Sequence, residues 1–285
     1  MLARQSLRSL RGMRQLAVTA KQVKALREQT GAPMMDCKKA LQESDGDAEK
    51  AMDWLRKKGV ATASKKADRA TAHGLVAAQV SDDHTRVDIV ELNSETDFVA
   101  KNESFRSLVS QIASATSALS LQTQEDKSLP LEQLLHAPLN DETSIGDGVT
   151  DLVASIRENM QLRRAFAMSV PHPDKGVLGV YVHSRPAPKE HPFVGLKVAG
   201  VALEGDLSGL STEQRDELSQ LARKVAMHCV VASPSYLSSE FVPESVLQRE
   251  LAIVQHALDS DEKFAQMPEK KLAGVRQGKL RVALK

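Results

Sequence analysis

The sequence predicts an α+β protein: a three-helix N-terminal module, then a core of antiparallel sheets with segregated helices in two subdomains. Three observations predict it. Residues 21–59 hold three short stretches of helical apolar spacing divided by turn signals. Strand-like runs recur at 74–80, 86–92, 161–170, 177–183 and 196–203, and the first two flank the polar turn Ser81-Asp82-Asp83-His84, as an antiparallel hairpin does. Helical spacing is gathered into separate blocks, such as Phe105, Leu108, Val109, Ile112 and Leu119.

Composition sets the limits. A chain of 285 residues has room for about two domains. Hydrophobic residues at 41% can fill a core, but aromatics at 3% mean that Val, Leu, Ala and Ile must fill it. The net charge of +1 gives no global case for nucleic acid or an anionic membrane. No apolar run approaches the roughly 20 residues of a membrane span. Cys37 and Cys229 stand far apart, which suits a reducing compartment better than a disulfide framework.

Residues 1–20 carry Arg4, Arg8, Arg11 and Arg14 with leucines between them, and the first acidic residue is Glu28. An Arg-rich, acid-free amphipathic start reads as an organelle transit peptide, cut near 16–20, or else as a loose basic tail. In the module, Thr30-Gly31-Ala32-Pro33 ends the first helix, 34–42 forms the second, and Ala48 opens a third that Gly59 is expected to stop. Met34 and Met35 at the start of the second helix are either core or an adaptable contact surface. The connector at 60–73 includes Lys65-Lys66-Ala67-Asp68-Arg69. It is either a nucleic-acid patch or a solvated helix face, and no aromatics are interleaved for base stacking.

Downstream, 121–148 reads as polar and irregular with one short helix, and Gly146-Asp147-Gly148 as a turn. Residues 151–160 read as a helix. In 161–170, Leu162, Phe166, Met168 and Val170 alternate onto one face of a strand. Leu218, Leu221, Val225 and Cys229 mark one helix face, Leu247, Leu251, Val254 and Leu258 another, and the tail from Pro268 is basic and weakly helical.

The chemistry-bearing motifs are few. There is no G-x-x-x-x-G-K-[ST] loop and no G-x-G-x-x-G. The eight histidines are scattered, none beside a Ser or Cys in a nucleophile setting. Nothing favours a hydrolase built on Cys37 or Cys229. One stretch stands out: Ser94-Glu95-Thr96-Asp97-Phe98-Val99-Ala100-Lys101-Asn102, where a strand-like run hands over to a helix. Thr96 or Asp97 is expected to cap that helix. Phe98 is either a staple to its own domain or an aromatic offered to a partner.

The segment Thr96-Asp97-Phe98-Val99-Ala100-Lys101-Asn102 resembles the signature of translation elongation factor Ts. Residues 26–41, running through Thr30-Gly31-Ala32-Pro33-Met34-Met35-Asp36-Cys37-Lys38-Lys39, resemble that family's N-terminal motif, and Glu158-Asn159, Gln161-Leu162-Arg163-Arg164-Ala165 and Ala226-Met227-His228 follow it more loosely. With the transit-like start, the resemblance implies a factor of the mitochondrial matrix that is not an enzyme. Its expected role is exchange of guanine nucleotide on elongation factor Tu, with which it forms a heterodimer. The module would be similar to ubiquitin-associated domains and rest on the GTPase partly through Met34 and Met35. Asp97 and Phe98 would enter between two helices near the GTPase's Mg²⁺, supported by Thr96, Val99, Lys101 and Asn102. His183 would disturb the phosphate-binding loop, and the C-terminal half would touch the partner's third domain. The GDP, GTP and Mg²⁺ belong to the partner, so no cofactor is expected here, nor direct contact with nucleic acid or membrane.

The expected division is a leader at 1–20, the module at 21–59, the linker at 60–73, and core subdomains at 74–170 and 171–285, the last shortened at its end. Arg157 departs from the family's glycine before Glu158-Asn159, and no long coiled-coil insertion is visible. An adaptor using only the N-terminal module is the competing reading.

Overall fold

The computed structural model describes residues 18–120, 127–265 and 267–283. Most of the expected leader lies outside them. Val18 and Thr19, counted with the leader above, belong to the module. Val18 packs on its core, and Thr19 closes a capping box on α1 (Ala20–Thr30) with Gln22. Gly31, at φ 66°, takes the left-handed position that ends α1. After α2 (Met34–Glu43), Asp47 accepts the Lys50 N–H at 3.2 Å and starts α3 (Ala48–Ser64). Val23, Leu26, Cys37, Ala40, Leu41 and Ala51 form a small core. The expected stop at Gly59 is wrong: α3 runs on to Ser64, so part of the connector is helix. A Cβ on Gly59 would stand 3.2 Å from the Ala154 Cβ, so this glycine lets two helices approach closely.

The hairpin β1 (His73–Val80) and β2 (Arg86–Ser94) forms as expected, followed by a 3-10 turn at Val99–Lys101 and α4 (Glu103–Ser120). Then come β3 (Lys127–Ser128), α5 (Leu131–His136), α6 (Ile145–Ile156) and β4 (Met160–Ser169). The expected turn at Gly146-Asp147-Gly148 is instead the first turns of α6. Ser144 caps it, in a capping box with Asp147. The second part contributes β5 (Gly176–His183), β6 (Val194–Gly195), β7 (Lys197–Glu204), α7 (Thr212–Ala232), α8 (Glu244–Asp259), α9 (Glu262–Ala265) and α10 (Glu269–Ala283). The antiparallel sheets run β3-β4-β2-β1-β6 and β5-β7.

Four layers result. Phe105, Val109 and Ile112 of α4, with Ile145 and Val153 of α6, cover one face of the larger sheet through Leu75, Val90, Leu92 and Leu162. Its other face meets the smaller sheet through Ala78, Val87, Leu178 and Val182. On the far side of the smaller sheet lies α7, close enough that a Cβ on Gly179 would fall 2.2 Å from the Ala222 backbone carbon. Leu119, expected on the buried stripe of α4, is exposed.

Two expected faces are corrected. In β4, the register slips between Glu91 and Leu92: Leu92 pairs Leu162 and Glu91 pairs Arg164, leaving Arg163 as an extra residue. Leu162, Ala165 and Ala167 therefore face the helices, while Phe166 pairs Ile89 and Met168 packs between the sheets. In α7 the buried stripe is Ala222, Ala226 and Val230, with Leu221 and Val225 left in solvent. Small side chains win because the helix sits directly on Gly179. The C-terminal stripe is as expected, with Val254 and Leu258 buried, and α8 packs on α10.

Candidate functional site

At the end of β2 the chain makes a tight turn whose shape is set by side chains. The Ser94 hydroxyl donates to the Thr96 carbonyl at 2.9 Å. Thr96 donates its N–H (3.0 Å) and its hydroxyl (2.9 Å) to the Glu158 carboxylate. Glu95 in return accepts the Asn159 N–H at 2.6 Å, with the Arg69 guanidinium 3.5 Å away. Two neighbouring segments thus exchange carboxylates. Beyond the turn, Val99 and Ala100 are buried in the main core. Both ends being fixed, the two residues between them have nowhere to go but outward.

Phe98 is accordingly 72% exposed, and the reading of it as a staple to its own core is excluded. Asp97 is exposed beside it. The Lys101 ammonium lies 5.0 Å from the centre of the Phe98 ring and 4.0 Å from the Asp97 carboxylate. An apolar ring is thus presented between one negative and one positive group. Neither Thr96 nor Asp97 caps a helix: Asn102 does, its side-chain oxygen accepting the Phe105 N–H at 3.3 Å at the start of α4. Val99, expected among the contact residues, is only 3% exposed and acts as the anchor of the turn. Thr96 is occupied by Glu158.

The other expected residues lie apart from this turn. Met34 and Met35 are 44% and 69% exposed, outside the module's own core. His183 is exposed at the end of β5, its Nδ1 3.1 Å from the Tyr181 hydroxyl oxygen, and it pairs across the sheet with Lys197. Lys197 and Asp97 both line a cavity of about 750 Å³, floored by Ile89, Phe166 and Met168. His183 itself does not line this cavity and makes no contact with the turn among the described residues.

The module is tied to the body through α6 and the residue after it. Asp36 accepts from the Lys58 ammonium at 2.6 Å and from the Arg157 guanidinium at 3.1 Å. Burial pushes the Asp36 pKa up, but the hydrogen bonds and charges of Lys58 and then Arg157 outweigh it and hold the carboxyl below its ordinary range. The Ser155 hydroxyl donates to the Gly31 carbonyl at 2.8 Å. Arg157 holds φ 68° as the left-handed C-cap of α6. That conformation suits the glycine expected there, yet the arginine serves the bridge to Asp36.

Sequence reasoning gave no role to Glu95, Glu158 or Asn159. The only signal was the Glu158-Asn159 pair following a residue in a glycine-like position. Burial pushes the Cys37 thiol up and away from the reactive thiolate, and it donates to the Ala32 carbonyl. Among the described residues no group of three or more His, Cys, Asp or Glu side chains could hold a metal ion, and no helix is long and apolar enough to cross a membrane.

Fold and site together define an α+β protein that exposes an aromatic–acid pair on a turn pinned at both ends and, apart from it, a methionine pair on the N-terminal module. The comparisons with known proteins place it more closely. A family model described as elongation factor TS matches residues 95–285, and one described as elongation factor Ts, mitochondrial, N-terminal, matches residues 7–63. The elongation factor Ts of Nitratiruptor sp. is 38% identical over 262 residues, which span 91% of this chain and 77% of that protein. That of Paramagnetospirillum magneticum is 41% identical over 260 residues, 90% and 75% of the two chains. That of Maricaulis maris is 45% identical over 218 residues, 76% and 62%. The chain belongs to the elongation factor Ts family, whose members act as nucleotide exchange factors for elongation factor Tu in translation elongation.

Proposed function

We propose that this chain drives GDP release from the elongation factor Tu of mitochondria by inserting Asp97 and Phe98 beside the GTPase's Mg²⁺ and nucleotide. The two proteins form a heterodimer in the matrix, and the nucleotide and metal are the partner's. One observation carries the reading: Phe98 stands in water on a turn pinned at both ends. Met34, Met35 and His183 supply further contacts. The physics is linkage. The factor and GDP–Mg²⁺ favour different shapes of one GTPase, so each weakens the other's binding by the same ratio.

A coupling of about 10⁴ corresponds to roughly 5.5 kcal/mol, whereas transfer of one phenylalanine from water gives only about 1.5–3 kcal/mol. Phe98 is therefore a dominant residue within a wider interface that holds it in place.

The test is release of labelled GDP from mitochondrial elongation factor Tu at substoichiometric amounts of this protein. The native chain accelerates release over many turnovers. Phe98→Ala loses most of that stimulation yet melts within about 0.5 kcal/mol of the parent, since the ring packs on little of its own fold. Release at the spontaneous rate with the native chain would refute the exchange reading. Native stimulation by Phe98→Ala would refute the wedge.

A further inference from the structure

We infer that Arg157-Glu158-Asn159 is a positioning hub that sets where the Asp97–Phe98 turn stands relative to the N-terminal module, with Glu158 the residue that grips the turn. The inference rests on the exchange reading for its consequence, but not for its geometry.

Three structural units converge on these three residues. Glu158 takes both donors of Thr96, the backbone N–H at 3.0 Å and the hydroxyl at 2.9 Å. A charged acceptor held by two donors of one residue fixes both position and orientation, and Thr96 is the residue before Asp97. Asn159 donates its N–H to Glu95 at 2.6 Å, so the turn is held on either side of the Glu95–Thr96 peptide. The Asn159 side-chain amide donates to the carbonyls of Ala67 (3.2 Å) and Arg69 (2.8 Å) and so holds the connector. The Arg157 carbonyl accepts from Lys66 at 2.6 Å, and its guanidinium reaches Asp36, directly after Met34 and Met35, at 3.1 Å. Asn159 is buried and Glu158 half-buried, so the bonds these two residues make to the turn and the connector are partly shielded from competing water, while those of Arg157 lie at the surface.

Two contact surfaces on separate units can meet one partner at once only if their spacing is fixed. Among the described residues, no other segment bonds to the Asp97–Phe98 turn, the connector and the module together. The hub residues need touch no partner to matter. Freeing the turn spreads Phe98 over many directions, of which few enter the partner. The loss should then appear in the maximal rate of nucleotide release more than in the concentration of factor needed to reach half of it.

Glu158→Ala is compared with the native chain and Phe98→Ala in the GDP-release assay, and by hydrogen exchange on the free protein. Removing charge-assisted bonds predicts a fall of about 10- to 100-fold in the saturating release rate, with the half-saturating concentration changed by less than about threefold. In the free protein the amides of residues 96–101 should exchange at least about tenfold faster, with those of β1 and β2 unchanged. If Glu158→Ala does not fold, Glu158→Gln, which keeps the shape and removes the charge, is read in both assays. Unaltered exchange at residues 96–101 overturns the inference whether or not the native chain releases GDP. A native saturating rate with loosened amides overturns the link from hub to wedge while leaving the wedge itself standing.

Discussion

A phenylalanine left in water forgoes roughly 1.5–3 kcal/mol of transfer free energy, so the exposure of Phe98 must be enforced by its neighbours. Val99 and Ala100 are drawn into the core on one side and Thr96 is bonded to Glu158 on the other. The prominence of this aromatic was legible in the sequence, but its direction was not, because burial of the next two residues depends on contacts distant in sequence. At Arg157 backbone strain is set against an ion pair. A non-glycine residue in the left-handed region costs about 1–2 kcal/mol, and its partly exposed ion pair with Asp36 returns no more than about 1 kcal/mol. Arg157→Gly is therefore expected to be at least as stable as the parent by thermal melting, and Arg157→Ala to be about 0.5–1 kcal/mol less stable. An Arg157→Gly protein that melts well below the parent would show that the bridge outweighs the strain.

Among the elements, the strands and helices were mostly legible, but the faces of β4 and α7 were not. Period-two and helical counting assume that each element is regular and that larger apolar side chains are the buried ones. Arg163 breaks the first assumption by adding a residue to β4. Gly179 breaks the second: it draws α7 so near the smaller sheet that only the small side chains Ala222 and Ala226 fit underneath. Adding one methyl there should be costly. Gly179→Ala is expected to lose about 1–3 kcal/mol in denaturant unfolding, or to fail to fold. Gly205→Ala, where nothing lies within 4 Å, should change little. Equal midpoints for the two variants would contradict the close approach.

At the scale of the whole molecule, the module's dependence on the body was foreseeable from its size, since three short helices bury little area. The means of attachment was not, because Asp36, Lys58 and Arg157 are far apart in sequence. The attachment should respond to acid. The folded Asp36 pKa lies below its unfolded value of about 3.9, so its contribution is complete above that value and is lost as pH falls through the folded pKa. Hydrogen exchange in α1–α3 should rise relative to the β1–β2 hairpin below about pH 4, and Asp36→Asn should show the raised exchange already at neutral pH. A parent whose module responds to acid no differently from the hairpin would rule this out.

The surplus residue in β4 also changes what a lesion would do. Losing one amino acid from a strand ordinarily turns over everything beyond the gap. At Arg163 the reverse holds: with Leu162 opposite Leu92 and Arg164 opposite Glu91, excising it merely straightens the ladder, and both halves keep their sides. The same excision a few positions later would drive Phe166 and Met168 into the core on the side of α5 and α6, where alanines now lie. Within this strand, tolerance of a one-codon deletion and ruin by it lie only a few residues apart.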